Sequence, residues 1–432
     1  MRIVDLRSDP GLPIPRPDPG EGPLEAVRSI LAAVRARGDA ALLDLTERFD
    51  GVRLDSVRVP PGELERAADS LSPDLEAAFA EAANRIRAFA RHQALHPWRA
   101  GVGGGTVGET VHPVARAGIY VPGGRAAYPS SVLMSAVPAA VAGVDEVALC
   151  VPPARDGTVP AVTLAAAHLA GVTEVYRIGG AQAVAAMAYG TESIPKVDVI
   201  AGPGNVYVAL AKQEVAGTVQ IDSVAGPSEI AIVADGDVDP GVLAADLIGQ
   251  AEHGPHGSFL LVTWDPSLTG RVEVCMDRQL DEIGRPPDLV AALDEGTAAV
   301  VVSGVDQAVE AVNRFAPEHV ELIFEGAEKA LEQVRAAGAV FVGFWSPVSL
   351  GDYLAGTNHV LPTAGAGRWA SGLRTSHFQT TTAFAHYDRA SLEASLPHVQ
   401  AFASAEGLPN HARAVEARLR NGRGESPLGW LG

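Results

Sequence analysis

VTEVYRIGGAQAVAAMAYG, residues 172–190, changes character at its middle. Its first part carries the β-branched and aromatic residues that a strand prefers. Gly179 and Gly180 interrupt it, and an alanine-rich stretch of good helix formers follows. The pattern therefore predicts a strand, a glycine turn and a helix. It occurs three more times nearby. AGIYVPGG (117–124) leads into SSVLMSAVPAAVAG, VDEVALCVPP (144–153) into AVTLAAAHLAG, and VDVIAGPGN (197–205) into VYVALAKQEVAG. Four such repeats in succession imply a parallel sheet with helices on both faces, here assigned to residues 120–228.

Working outward, a second α/β stretch begins after GPSE (226–229). EIAIVAD, GSFLLVTW, AAVVVSG, HVELIFEG and AVFVGFW read as strands, while PGVLAADLIGQAEHG and DQAVEAVNRFA read as helices. Upstream, EAVRSILAAVRARGDAALLDLTERFD (25–50) and PDLEAAFAEAANRIRAFARHQAL (73–95) have apolar residues at helical spacing. These opening helices are expected to pack on the second sheet, giving one domain from residues 23–119 and 229–372. Residues 1–22, rich in Pro and Gly, are read as a loose N-terminal arm, and 373–432 as a helical tail. The expected fold class is α/β, with two open, incomplete Rossmann-like domains and mostly parallel sheets.

Composition narrows the function. Lys plus Arg number 33 against 52 Asp plus Glu, a net charge of −19, which repels phosphate backbones and anionic bilayers. Neither nucleic acid nor membrane is an expected partner. The two cysteines, Cys150 and Cys275, cannot form a disulfide framework and suit a reducing cytosol. No signal-type apolar segment opens the chain, and SVLMSAVPAAVAGV is too short to span a bilayer. A cytoplasmic protein is expected.

Two stretches match a dinucleotide fingerprint in letters alone, GGGTVG (103–108) and GAGRWA (365–370). Neither lies between a strand and a helix, where a phosphate needs it, and both are rejected. Gly123-Gly124, Gly179-Gly180 and Gly202-Pro203-Gly204 do stand at predicted strand ends, the crevice where open sheets bind ligands. Glycines are also common at such turns in any α/β domain, so a nucleotide site there remains one of two readings.

Further on, GQAEHG (249–254) spaces Gln250 and His253 by three residues, on one face of a helix end. An amide oxygen and an imidazole make half a site for a divalent ion, but a solvated helix terminus reads the same way. His256 lies beyond the helix stop and is read as a loop histidine. GDYLAGTNHVLP (351–362) adds Asp352 and His359, and EGLPNHARAV (406–415) adds Glu406 and His411. Mixed nitrogen and oxygen donors of this kind suit zinc. FAPEHVEL (315–322) sets Glu318 beside His319, which by itself is either an acid–base pair or an ordinary loop end.

Taken together, YVPGG, GGAQA, GPGN, AGPSE, GQAEHG, FAPEHVEL, GDYLAGTNHVLPT and EGLPNHARA resemble the histidinol dehydrogenase family, in order and over nearly the whole chain. The resemblance implies oxidation of L-histidinol to L-histidine through the aldehyde, with two NAD+. It implies one zinc per subunit, held by Gln250, His253, Asp352 and His411. Ser228, His359 and Glu406 would hold the substrate, which would also touch the metal ligands and His319. Tyr120, Gln182 and Asn205 would contact NAD. His319, with a pKa near neutrality, would move protons and Glu318 would activate water. It also implies a homodimer in which the tail of one subunit serves the other's site. Cys150, inside an apolar strand, and Cys275, with no base near it in sequence, are not expected to be catalytic. The rival readings are a zinc- and NAD-dependent dehydrogenase of another small diol or amino alcohol, a zinc hydrolase, and a non-catalytic binding protein.

Overall fold

The computed structural model describes residues 1–17, 22–123, 126–172, 174–224 and 226–421. Gly124, in the first glycine turn, lies outside them. Two compact units form: one from Met1–Ala94 with Val114–Phe378, the other from Leu95–Pro113 with the chain after Phe378.

In the first unit the chain opens with β1 (Arg2–Asp5) and four helices, α1 (Leu24–Arg37), α2 (Asp39–Asp50), α3 (Glu63–Asp69) and α4 (Pro73–Gln93). The strand Trp98–Val102 (β2) and the strand Gly105–Pro113 (β3) belong to the second unit. Back in the first, β4 (Arg116–Tyr120), α5 (Pro129–Ala142), β5 (Glu146–Val151), α6 (Ala161–Leu169), β6 (Glu174–Arg177), α7 (Gly180–Tyr189), β7 (Val199–Ala201), α8 (Val206–Val215) and β8 (Gln220–Ile221) follow. They build a parallel sheet in the order β6-β5-β4-β7-β8. β4 and nearly all of β5 are buried, as the apolar runs of doubly covered parallel strands require.

A second parallel sheet is laid down by β9 (Glu229–Ala234), α9 (Pro240–Ala251), β10 (Ser258–Thr263), α10 (Pro266–Glu282), α11 (Pro287–Gly296), β11 (Thr297–Val301), α12 (Val305–Phe315), β12 (His319–Ile323), α13 (Ala327–Leu331) and β13 (Ala339–Val342). Its order is β1-β11-β10-β9-β12-β13. The short helix α14 (Val348–Tyr353) comes next. Local signals explain the starts: Asp239 and Asp265 cap α9 and α10, each with proline at the first turn.

The fold class is as expected, with differences in arrangement. The opening helices pack on the first sheet, not the second: Val27, Leu31 and Leu42 share a core with Val184 and Met187 of α7, and Phe79 and Ile86 share one with Val132 and Val137 of α5. Amphipathic spacing names the buried face of a helix but not its partner. Residues 116–119 are likewise strand β4 of the first sheet. The expected loose arm is also corrected. Arg2–Asp5 pairs with β11 in register Arg2↔Ala298, an edge strand whose four residues were too few to show a period.

The second unit is an antiparallel sheet, β14-β3-β2, with β14 (Gln379–His386), followed by α15 (Arg389–Ala405) and α16 (Pro409–Asn421). The tail is thus not wholly helical, and residues 373–378 stay with the first unit. GGGTVG is its hairpin: Val102 pairs with Gly105, and Gly103 and Gly104 have φ of 59° and 81°, the conformation of a two-residue primed turn.

Candidate active site

At the carboxyl ends of β4 to β7 lies a cavity of about 940 Å³, lined by Tyr120, Gly123, Gly179, Gln182 and Asn205 among others. The volume falls in the range of small-molecule and cofactor sites. The Tyr120 hydroxyl accepts a hydrogen bond from the Gly180 peptide at 3.1 Å, and burial pushes the phenol up to about 12. Asn205 caps α8 by accepting from the Tyr207 and Val208 peptides. Gly202 has φ 115°, and a Cβ there would lie 2.0 Å from the Tyr120 carbonyl oxygen, so no other residue fits. The turn is fixed by groups that the sequence did not single out. Asp222 accepts from the Gly202 peptide at 2.8 Å, and the buried Lys212 bonds Asp222 and, at 3.1 Å, the Gly202 carbonyl.

Whether NAD fits this cavity is tested by Asp50, at the end of α2 on the cavity wall. Its Oδ2 is buried with no hydrogen-bond donor among the described residues, and desolvation raises its pKa to about 6. A ribose hydroxyl would supply the missing donor. Together with glycines at the strand ends, this fits the cofactor.

A second constellation sits at the amino edge of the second sheet. Glu318 precedes β12 and His319 is its first residue; both are buried, in a strand where polar residues are otherwise out of place. α12 ends at Ala316, a non-glycine residue with φ 52°, which turns the chain into Pro317 and Glu318. The backbone of one residue, Glu229 at the start of β9, holds both side chains. Its N–H donates to Glu318 Oε2 at 3.0 Å, and its carbonyl lies 3.1 Å from His319 Nδ1. A carbonyl only accepts, so this contact assigns the proton to Nδ1 and leaves Nε2 as the basic nitrogen. The Gln250 amide nitrogen, at 3.4 Å from the same Nδ1, is then a neighbour and not a donor to it.

Burial moves the pair in opposite directions. It raises the Glu318 carboxyl well above the usual range, opposed by the Glu229 peptide and reinforced by the Glu229 and Asp352 charges. It lowers His319 to about 4, which corrects the expectation of a pKa near neutrality. Desolvation disfavours whichever form is charged.

Around this pair the chain gathers other expected residues. Ser228 Oγ lies 3.2 Å from His253 Nδ1, at the end of α9. His359 Nδ1 donates to the Asp352 carbonyl (2.9 Å), and its Nε2 meets the hydroxyl of Ser131 on α5 (3.1 Å), a partner sequence did not suggest. The Asp352 carboxylate and His253 lie close enough to shift both His319 and His359, whose pKa burial lowers. His256 stands apart, bonded to Glu295 at 3.0 Å. Glu406 and His411 lie in the second unit, exposed, at the end of α15 and in α16. Cys150 is fully buried, which pushes its thiol up.

For zinc, the donors at hand are the Gln250 amide oxygen, His253 Nε2 and the Asp352 carboxylate. Gln250 and His253 stand at the carboxyl end of α9, where the helix dipole favours a cation. No group of three His, Cys, Asp or Glu side chains able to hold a metal occurs among the described residues. The donor set fits a borderline ion such as zinc.

A parallel α/β chain with a cofactor-sized crevice and a buried acid–base pair has the parts of an oxidoreductase. The family model described as "Histidinol dehydrogenase" matches residues 20–419. The chain is 49% identical over 391 residues to histidinol dehydrogenase of Parasynechococcus marenigrum (strain WH8102), covering 90% of each protein. It is 47% identical over 398 residues to that of Geobacillus kaustophilus (strain HTA426), covering 92% of this chain and 94% of the relative. The crystal structure of histidinol dehydrogenase from Elizabethkingia anophelis matches with TM-score 0.91 and 33% identity, over 97% of this chain and 98% of that one. The chain belongs to the histidinol dehydrogenase family, oxidoreductases of histidine biosynthesis.

Proposed function

We propose that the chain oxidises L-histidinol to L-histidine in two steps, through the aldehyde, with two NAD+ and one zinc ion per subunit, in the cytoplasm. The observation that carries this reading is the backbone of one residue, Glu229, gripping both Glu318 and His319 beside Gln250, Asp352 and His359. Tyr120, Gln182, Asn205 and Asp50 would hold NAD, which would supply the hydride acceptor for both oxidations. Gln250, His253, Asp352 and, by family resemblance, His411 would hold zinc, which would supply a fixed point for the substrate.

His319, whose Nδ1 faces the Glu229 carbonyl, takes the hydroxyl proton at Nε2 as the alcohol carbon gives its hydride to the first NAD+ and becomes an aldehyde. The aldehyde then adds water: Glu318, when ionised, takes a proton from that water while His319 returns its own proton to the carbonyl oxygen, which gives the diol. The diol loses a hydroxyl proton to His319 as its carbon gives a hydride to the second NAD+, and the acid forms. Ser228, His359 and Glu406 orient the amino alcohol. The active form is a homodimer in which Glu406 and His411 serve the partner's site.

With histidinol limiting and zinc and NAD in excess, two NADH should form per histidinol, with histidine as product. One NADH would show a dehydrogenase that stops at the aldehyde. None would move the reading to another small diol or amino alcohol.

A further inference from the structure

We propose that Arg16, from the segment before the first helix, is the positioning residue that sets the geometry of the Glu318–His319 pair. This rests on the proposed reading for its catalytic consequence and on the geometry alone for its structural one. Arg16 Nε meets Glu229 Oε1 at 2.6 Å, and Nη2 lies 3.4 Å from Oε2. The same Nη2 donates to the Phe315 carbonyl at 2.8 Å, and the guanidinium carbon lies 4.0 Å from the centre of the Phe315 ring.

These contacts fall on the two segments that carry the acid–base pair. Glu229 is the residue whose N–H and carbonyl bind the two side chains of the pair. Phe315 ends α12, and only Ala316 and Pro317 separate it from Glu318. One guanidinium therefore fixes both the platform and the approach of the pair. Its planar fork bonds two acceptors while stacking on the ring, which an ammonium at the same place cannot do. Glu229 is only 3% exposed, and burial pushes its carboxyl up while Arg16 opposes that. Without the cation, the buried carboxylate would be left unpaired directly behind Glu318.

Arg16 meets β9 through the side chain of Glu229 and not through a ladder hydrogen bond of its backbone. β9 and β12 are joined by their own register, His319↔Ile230 to Ile323↔Ala234. Losing Arg16 should consequently loosen the pair while leaving the sheet intact.

The test uses the full chain with Arg16→Gln and Arg16→Lys. Hydrogen exchange, measured without substrate, should quicken in peptides covering 226–232 and 312–320 of R16Q and stay unchanged in the rest of the second sheet. In turnover of L-histidinol, kcat should fall roughly 10–100-fold with KM nearly unchanged, since misplacement of about an ångström has that effect. R16K, keeping charge without the fork, should lie between; if R16Q does not fold, R16K decides alone. Unchanged exchange and unchanged kcat overturn the proposal. So does faster exchange across the whole sheet with a matching loss of folded protein. If the unmutated chain does not oxidise histidinol, the proposed function fails, and the exchange pattern still decides the role of Arg16.

Discussion

Glu318 and His319 are adjacent in the chain and both buried, and burial favours the uncharged form of each, raising the carboxyl and lowering the imidazole. Such a pair can accept or return one proton at each stage. Asp50 shows a different condition, a buried carboxylate oxygen with no hydrogen-bond partner among the described residues. Asp50→Asn should weaken NADH binding by roughly 5–30-fold, the loss of one charge-assisted hydrogen bond. Titration of NADH fluorescence reads this, and equal affinity in the two proteins would remove Asp50 from the cofactor site. Gln250, His253, Glu318, His319, Asp352 and His359 stood out as candidates because each lies in a short stretch of distinctive letters, while the roles proposed for them came from the family resemblance. Arg16, Ser131 and Asp50 were not legible, since their roles come from partners far away in the chain. A signal did exist for Glu229 and Glu321: charges inside the apolar strands EIAIVA and HVELI have to be paired with something.

At the scale of elements, α9, β12 and α14 each carry a site residue, and a buried acid pair joins them. Glu321 on β12 accepts from the Val348 peptide at the start of α14 at 2.7 Å and lies close enough to Asp246 on α9 for each carboxyl to shift the other. Asp246 stands one turn before Gln250 on its helix, as Glu321 stands one pleat beyond His319 on its strand. Burial raises Glu321 to about 8 and Asp246 to about 6. Both folded values exceed the unfolded ones, so the folded chain holds more protons. Their contribution to stability is therefore complete below the ordinary carboxylate range and is lost as pH rises through about 8. Glu321→Gln should flatten the fall of the thermal midpoint over that window, by about 1.4 kcal/mol for each unit of raised pKa. Parallel pH series of the two proteins that coincide would contradict this. The same elements show why the fold was partly legible. Buried parallel strands announce themselves as apolar runs, whereas β1 is too short to show a period and α1 to α4 carry no mark of which sheet receives them.

For the whole molecule, the homodimer proposal makes a quantitative demand. Glu318→Gln and His411→Asn subunits are each expected to be inactive alone. Mixed and re-associated at random, they should recover about a quarter of full activity, since half the dimers are mixed and each holds one intact site. Recovery of none would place each complete site within one chain. The path of the chain has a separate consequence. Arg2 pairs beside Ala298, and Arg16 waits for Glu229 and Phe315. On a ribosome adding roughly 5–20 residues per second, the first residues made stand idle for about 15–60 s until the strand they need is synthesised. β1 and Arg16 are thus made long before the segments that receive them. A nascent chain stopped before β11 would carry Arg16 and Glu229 with neither the neighbour for β1 nor the catalytic pair itself, and would remain chemically silent.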